Sequence, residues 1–314
     1  MLQNLTHCPC CGATVTDSQR LFAVPMLSQM VDVLQCRDCQ LIYKAAVPNA
    51  AGLAQIYTSD YVHFQTEEPI GLGERLSNQR KLSQCQKLLP PSWQQQPKSA
   101  LNLVDVGCGS GRFVQVARDV GYNATGIDAY LPESCSSDNL QALTPDQLPP
   151  DHYQIVTLLN VAEHLTDPVA LFTSIRRILK SQGVFLLTCP YGDSIARQVY
   201  TAQWSHLALE EHLLFWNPAN LTRVLRQVGF TGQVKYRISG SPFPQGKTSV
   251  TTPLATTSQA DQSPSSASIP SWDWRKTLWT IGKEIQRQKL TAEMTRQMIH
   301  WFRLGDYLEL AIVA

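Results

Sequence analysis

The chain has 314 residues, 43% of them hydrophobic and 16% charged, enough apolar material for one large core and a small additional module. Its 26 basic and 25 acidic side chains give a formal net charge of +1, so no overall field favours nucleic acid or an anionic membrane as a partner. No apolar run approaches the roughly 20 residues that span a bilayer, and the first residues lack the pattern of a secretory leader. We therefore expect a globular, cytoplasmic protein.

A cysteine-rich head, residues 1–45, comes first. It holds two C-x-x-C pairs separated by 24 intervening residues. The nine cysteines are odd in number and the chain is long, so metal binding in a reducing compartment explains the pairing better than a disulfide framework. Four thiolates in a tetrahedral shell favour structural zinc, or iron in a rubredoxin-like site. The spacing predicts a zinc ribbon in which Cys10 is a bystander and the ligands are Cys8, Cys11, Cys36 and Cys39.

A connecting helical segment is predicted for residues 46–97, and strands alternate with helices over residues 98–240. Asp167 can cap a helix that starts with Pro168, and Asn217 can cap a second helix that starts with Pro218. Short apolar runs spaced by helical patterns imply a parallel sheet with crossover helices. The predicted strands are residues 101–106, 124–127, 155–159, 184–188 and 234–238.

The composition changes sharply after this alternating region. Residues 241–271 are rich in Ser, Thr, Pro and Gln, too poor in apolar side chains to offset their ordering entropy, so we expect a disordered insert. Helical stripes and a final strand at 307–313 then predict that residues 272–314 complete the core. The expected fold is α/β, with a Rossmann-like, doubly wound, mostly parallel seven-stranded sheet.

A glycine loop follows the first strand of the alternating region and precedes a helix. Its three glycines allow positive φ angles, and they let a ligand approach the backbone and the free N–H groups of the helix start. The loop reads G-x-G-x-G rather than the dinucleotide G-x-G-x-x-G, which argues against a dehydrogenase. Asp105 before the loop suits a cationic ligand, such as the amino acid end of S-adenosylmethionine, and Asp128 after the next strand suits two ribose hydroxyls. The alternative to ligand binding is that the glycines only form a tight turn and the acids only cap helices. The order of strand, loop, helix, strand and acid argues against this alternative.

The run from Val104 to Phe113, with the Gly-Ile-Asp that ends at Asp128, resembles the glycine loop and ribose acid of class I S-adenosylmethionine-dependent methyltransferases. The run from Tyr153 to Leu165 is similar to that family's fourth strand and its E-H-L turn. This resemblance implies S-adenosylmethionine as the cofactor. The implied cofactor contacts are Asp105, Gly107, Cys108, Gly109, Gly111, Phe113, Asp128 and Asn160.

Only 22 residues separate Asp128 from Asp151, which is short for the second helix and third strand of that family. We predict a shortened helix near 131–137 and a strand near 139–143. Together with the residues after the second cysteine pair, the zinc ribbon resembles a subgroup of these enzymes that includes nucleotide-sugar C-methyltransferases.

Methyl transfer requires alignment of the acceptor and, where the acceptor carries a proton, a base to remove it. His212 is the first candidate because a histidine titrates near neutral pH, and Glu211 and His164 are the others. Hydrogen-bonding roles in a loop or turn are the alternative for each of the three. Tyr57 and Tyr61 are candidates for the wall of the acceptor pocket or for a cation–π contact with the cofactor sulfonium, and packing between the two domains is the alternative.

The leading prediction is a methyltransferase that acts on a small molecule, with a sugar or nucleotide sugar as the acceptor. RNA methylation is an alternative, but residues 8–43 contain only Arg20 and Arg37 as basic side chains, so nucleic acid is a poor partner. A non-catalytic scaffold that keeps the cofactor fold is a third hypothesis.

Overall fold

The computed structural model describes residues 1–58, 61–64, 68–208, 210–239 and 305–314. The predicted insert at 241–271 and the helices predicted after it lie outside the described residues. The strands are β1 (Leu2–Asn4), β2 (Ser18–Met26), β3 (Gln29–Cys36), β4 (Ile42–Lys44), β5 (Ala46–Pro48), β6 (Asn102–Val106), β7 (Asn123–Ile127), β8 (Leu140–Gln141), β9 (Tyr153–Leu159), β10 (Leu179–Pro190), β11 (Leu214–Phe215), β12 (Val234–Ser239) and β13 (Tyr307–Val313). The α-helices are α1 (Ala50–Ile56), α2 (Leu72–Leu88), α3 (Pro91–Gln94), α4 (Arg112–Asp119), α5 (Pro168–Ile178), α6 (Ile195–Tyr200), α7 (Ser205–Ala208) and α8 (Pro218–Gln227).

A seven-stranded sheet in the order β12-β13-β10-β9-β6-β7-β8 forms the centre of the molecule. The pairs among β10, β9, β6, β7 and β8 are parallel, and β13 runs antiparallel to both β10 and β12. Strands such as β9 and β10 are buried along most of their length, which explains their continuous apolar sequences. The predicted Rossmann-like fold with a mostly parallel seven-stranded sheet is confirmed.

The crossover helices begin at capping residues read from the sequence. Asp167 Oδ1 accepts a hydrogen bond from the backbone N–H of Ala170 at the start of α5, at 3.0 Å. Asn217 Oδ1 accepts the same kind of bond from Asn220 at the start of α8, at 2.9 Å. Each cap satisfies a backbone donor that the first helical turn leaves without a partner.

The short connection after β7 differs from its predicted form. The helix expected near 131–137 is a single 3-10 turn over Glu133–Cys135, with Pro132 before it, and the strand expected at 139–143 is the two-residue β8. No apolar stripe of helical period spans this segment, so a longer helix would have had no face to bury.

The cysteine-rich head forms a four-stranded sheet in the order β11-β4-β3-β2, while β1 and β5 form a separate pair. Strand β11 comes from the far part of the chain, and its Leu214 and Phe215 pair with Tyr43 and Ile42 of β4. A surface ion pair between Asp38 and Arg223 of α8, at 2.8 Å, adds a second contact. The head is therefore joined to the main sheet region by shared backbone hydrogen bonds.

Within the described residues, no helix is both long enough and apolar enough to cross a bilayer.

Candidate active site

A cavity of about 460 Å³ opens at the carboxyl ends of β6, β7 and β9. This edge of a parallel sheet is where ligands of doubly wound folds bind. The cavity wall combines the glycine loop with a second group of aromatic and histidine side chains. Sequence-predicted residues in the wall are Asp105, Gly107, Cys108, Gly109, Phe113, Asp128, Asn160, His164, Tyr57 and Tyr61.

The glycine loop needs its glycines at two of these positions. Gly107 has a φ of 71°, and a Cβ there would lie 2.4 Å from the Val161 side chain. Gly109 has a φ of 50°, and a Cβ there would lie 2.8 Å from the His63 carbonyl oxygen, which also accepts a 2.8 Å hydrogen bond from the Ser110 N–H. Left-handed backbone and close approach together exclude larger residues.

Gly111 differs from its two neighbours because it is not part of the cavity wall. It precedes α4 with a φ of 77°, and a Cβ there would meet the Leu140 side chain at 2.5 Å. Its position fits the packing of α4 against β8 rather than a contact with the ligand.

Asp105 is 3% exposed and is the next-to-last residue of β6, directly before the glycine loop. Its Oδ1 accepts a 2.6 Å hydrogen bond from the Thr157 hydroxyl of β9. Burial raises the pKa of Asp105 to about 7, although the Thr157 hydrogen bond opposes the rise. A buried carboxylate of this kind gains most from a cationic partner, so the position suits a ligand ammonium group.

Asp128 holds the opposite side of the loop. Its carboxylate accepts hydrogen bonds from the backbone N–H groups of Gly109, at 3.2 Å, and Tyr130, at 2.9 Å. Burial raises its pKa, and these two hydrogen bonds counteract the rise. Asn160, at the end of β9, has a φ of 56° and is fixed through Thr188, whose hydroxyl donates to Asn160 Oδ1 at 3.2 Å.

The second part of the cavity wall is aromatic. The Tyr57 ring stacks on Tyr130 with centroids 4.5 Å apart and meets Tyr61 edge to face at 5.0 Å. The Tyr57 hydroxyl lies 3.0 Å from His164 Nδ1, within hydrogen-bond distance. Burial lowers the pKa of His164 to about 3, so its imidazole is neutral at physiological pH. This cluster offers an apolar surface with one neutral proton acceptor.

His212 lies behind His164 and is not part of the cavity wall formed by the described residues. The two rings are 5.0 Å apart, and burial, aided by nearby His164, His206 and Lys44, lowers the pKa of His212 to about 2. Glu211 accepts a 3.4 Å hydrogen bond from the Tyr61 hydroxyl. The first-choice base is therefore one layer further from the cavity than His164.

Glu163 is fully enclosed beside these histidines, with Oε1 3.9 Å from His164 Nε2. Burial raises its pKa to about 8, so the carboxyl group is largely protonated near neutral pH. Glu163 Oε2 and His212 Nδ1 are buried without a hydrogen-bond partner among the described residues. Buried polar atoms seldom lack a partner, so these two atoms are candidates to bind a water molecule or to exchange a proton.

The four predicted metal ligands meet in one place. The sulfurs of Cys8 and Cys39 are 3.6 Å apart, and those of Cys11 and Cys36 are 3.5 Å apart. All four lie within 4.8 Å of one another, close to the separations expected for a tetrahedral shell with bonds of about 2.3 Å. Cys10 instead points to the Asn220 carbonyl of α8 at 3.6 Å, outside the cluster.

Residues 61–233 match the family model described as a methyltransferase domain, which is more than half of the chain. This chain belongs to the methyltransferase domain family. The prediction of an S-adenosylmethionine-dependent methyltransferase is thereby confirmed, together with S-adenosylmethionine as the methyl donor.

Two curated relatives of this methyltransferase are named ubiquinone biosynthesis O-methyltransferase. The protein of Nitrosospira multiformis is 27% identical over 163 residues, covering 45% of this chain and 67% of the relative. That of Nitrosomonas europaea is 28% identical over 150 residues, covering 42% and 64%. The matches thus span about two thirds of the length of these relatives. A solved methyltransferase from Archaeoglobus fulgidus aligns with 16% identity and a TM-score of 0.45, covering 76% of this chain and 94% of that chain.

Three site residues were not predicted from the sequence: Thr157, Tyr130 and Glu163. Thr157 is a polar residue within a buried apolar strand. Because a buried hydroxyl needs a hydrogen-bond partner, the sequence could have predicted a polar partner for it. Glu163 stands next to His164 in the E-H-L turn, but its complete burial depends on the approach of the segment at 211–215, which the sequence order does not reveal.

Proposed function

We propose that this methyltransferase transfers a methyl group to a small-molecule acceptor, with nucleotide sugars as the first class to test. The observation that carries the proposal is a single cavity whose wall contains the glycine loop, Asp105 and Asp128 on one side and Tyr57 and His164 on the other. Donor and acceptor can therefore share one enclosed space, as an in-line displacement requires.

The cofactor end of the cavity offers a matching charge pattern. Asp105 can accept a hydrogen bond from the ammonium group of the cofactor, and Asp128 can receive the ribose hydroxyls after its carboxylate turns from the Gly109 N–H. S-adenosylmethionine, when bound, supplies the activated methyl group. The chain itself binds the ligand, excludes water through its aromatic wall and fixes the direction of approach.

Proton removal falls to His164 in this proposal. With Nδ1–H donated to the Tyr57 oxygen, 3.0 Å away, Nε2 is left as a neutral acceptor for a proton from the substrate. The Glu163 carboxyl lies 3.9 Å from Nε2, and in its ionised form it would stabilise the imidazolium that results. His212 and Glu211 support the acceptor side from the layer behind.

Zinc is proposed as the structural metal of the head, held by the four cysteines. The donor set fits, since the four cysteine sulfurs lie within 4.8 Å of one another and match the tetrahedral four-sulfur shell that zinc prefers. A closed four-sulfur shell leaves no position for a substrate, so the head supports the acceptor side through β4 and β11. The domain boundaries predicted near residues 45 and 97 are part of the same proposal.

A phenolic hydroxyl is the second acceptor class, suggested by the names of the curated relatives and by the stacked Tyr57 and Tyr130 rings, which can pack against an aromatic acceptor. RNA methylation and a non-catalytic scaffold remain the competing functions.

The test combines calorimetric titration of S-adenosylhomocysteine with a transfer assay from radiolabelled S-adenosylmethionine to nucleotide sugars, substituted phenols and total RNA. The proposal is supported if the protein binds S-adenosylhomocysteine and transfers the label to a nucleotide sugar. Label only in a phenol or only in RNA selects the corresponding alternative. Tight binding without transfer to any class would favour the scaffold, and a folded protein that binds neither form of the cofactor overturns the proposal altogether.

A further inference from the structure

Helix α2 carries a basic side chain into the cavity wall that the proposed function has not used. Lys81 lies in the wall and is partly buried. Its ammonium group donates hydrogen bonds to the Ser77 hydroxyl and to Asn78 Oδ1, both at 3.2 Å. Because an ammonium group has three N–H donors, these two neutral partners leave one donor for a ligand.

Arg112 is the other Lys or Arg side chain among the described residues of the cavity wall, and it is already engaged. Its guanidinium binds both carboxylate oxygens of Glu74, with Nε at 2.9 Å and a second nitrogen at 2.5 Å. It also donates to the backbone carbonyl oxygens of Glu68, at 2.7 Å, and Pro69, at 3.5 Å. Lys81 is therefore the more available of the two basic groups for an anionic group of a ligand in this cavity.

Lys81 and Asp105 influence each other electrostatically. Burial lowers the pKa of Lys81 while Glu309, Asp105 and Glu74 oppose that change, and Lys81 in turn lowers the pKa of Asp105. One region of the cavity thus presents a buried acid and a basic group together. The amino acid end of S-adenosylmethionine carries an ammonium and a carboxylate on the same carbon, the complementary arrangement.

We propose that Lys81 binds the α-carboxylate of the cofactor's amino acid end, opposite the ammonium site at Asp105. The inference rests on the proposed function, since it concerns the cofactor of that reaction. It explains why a flexible basic side chain is kept half-buried with only neutral hydrogen-bond partners, a placement that costs solvation free energy. Lys81 is then a cofactor-binding residue, supplied from outside the glycine loop.

A cycle of two proteins and two ligands tests the pairing. The ligands are S-adenosylhomocysteine and its analogue without the carboxylate, 5′-deoxy-5′-(3-aminopropylthio)adenosine, and the proteins are wild type and Lys81→Met. We expect wild type to bind S-adenosylhomocysteine about 10- to 100-fold more tightly than the analogue. Lys81→Met should lose most of that preference, because its affinity for the analogue should stay within about threefold of wild type.

Lys87→Met is the matched control, since Lys87 lies on the same helix with an exposed side chain. It should keep the wild-type preference between the two ligands. Lys81→Arg should restore part of it, because a guanidinium also binds a carboxylate. Melting curves confirm that each variant is folded before titration.

The outcomes separate this inference from the proposed function. If Lys81→Met retains the full preference for S-adenosylhomocysteine, the carboxylate is bound elsewhere and the inference is overturned, while the methyltransferase proposal stands. If Lys81→Met weakens both ligands equally, Lys81 only supports the shape of the cavity, which also overturns it. If wild type binds neither ligand, the proposed function itself fails.

Discussion

The two sides of the cavity are built in different ways. Most of the cofactor side comes from one stretch of chain, in which β6, the glycine loop, α4 and β7 follow each other within residues 102–128, with Lys81 and Asn160 added from outside it. The acceptor side is assembled from distant segments: Tyr57 precedes the glycine loop by about fifty residues, His164 follows β9, and the segment with His212 is fixed by β4 of the head.

Because of this difference, cofactor binding and methyl transfer should depend on different parts of the chain. The described residues of the cofactor side include none from the head, whereas the acceptor side requires the head to be folded, because the Lys44 N–H donates to the Leu213 carbonyl directly after His212, at 2.9 Å. Damage to the head should therefore affect methyl transfer much more than cofactor binding.

Removal of the metal should have the largest effect. Cys36→Ser, or removal of the proposed zinc with a chelator, should unfold the edge of the four-stranded sheet and lower turnover by about 10,000-fold or more, because structural zinc supplies folding free energy and the whole acceptor side, base included, depends on the head. The affinity for S-adenosylhomocysteine, measured by calorimetry, should change by less than about threefold.

Cys10→Ser is the control for that experiment, since Cys10 contacts the Asn220 carbonyl and lies outside the cluster. Its zinc content, measured by mass spectrometry of the metal, should equal that of wild type. Equal loss of cofactor binding and turnover in Cys36→Ser would mean that the two sides of the cavity fold as one unit.

His164→Gln should reduce kcat by about 100- to 10,000-fold, the range for loss of a general base, with little change in cofactor affinity. His212→Gln should cost less, because His212 is buried behind His164. Steady-state kinetics compares kcat of the two variants. The control is His152→Gln, because His152 is an exposed histidine. A greater loss in His212→Gln would instead support the sequence-based choice of base.

Asp105→Asn should weaken cofactor binding by about 10- to 100-fold and remove its pH dependence. In wild type, the affinity should rise as the pH rises through about 7, because the ligand ammonium binds the ionised carboxyl. The raised pKa has the opposite effect on the free protein, whose stability should fall as the pH rises toward 7. Asp105→Asn should therefore melt at a higher temperature than wild type above that pH.

Calorimetry across the pH range checks the rise in cofactor affinity, and thermal melting checks the fall in stability. A Kd that does not vary with pH in wild type would show that Asp105 is not linked to the ligand charge.

Tyr57→Phe should have the smallest effect, about a tenfold loss in kcat, because it removes the hydroxyl beside His164 Nδ1 and keeps the ring stacked on Tyr130. The pH profile of kcat distinguishes this role from packing. If the hydroxyl orients the imidazole, the profile should shift, whereas a profile identical in shape to wild type would assign Tyr57 to the wall alone.

The sequence was sufficient to predict the strands and helices that depend on local residue patterns. Continuous apolar runs predicted the strands of the main sheet, and Asp167 and Asn217 cap their helices as expected. The helix predicted near 131–137 was wrong because it was placed where the residues offer no apolar stripe, whereas the strand predicted near 139–143 is present in shorter form as β8. The burial of Glu163 and the position of His212 behind His164 depend on β11 pairing with β4, a contact between segments about 170 residues apart that no local pattern encodes.

That same pairing imposes an order on biosynthesis. The two cysteine pairs leave the ribosome early, but the fourth strand of their sheet, Leu214–Phe215, is made only after most of the central sheet. Until then the backbone of β4 presents an unpaired edge to other nascent chains. The head therefore cannot complete its fold until Phe215 has been made, and the acceptor side is assembled only from that point on.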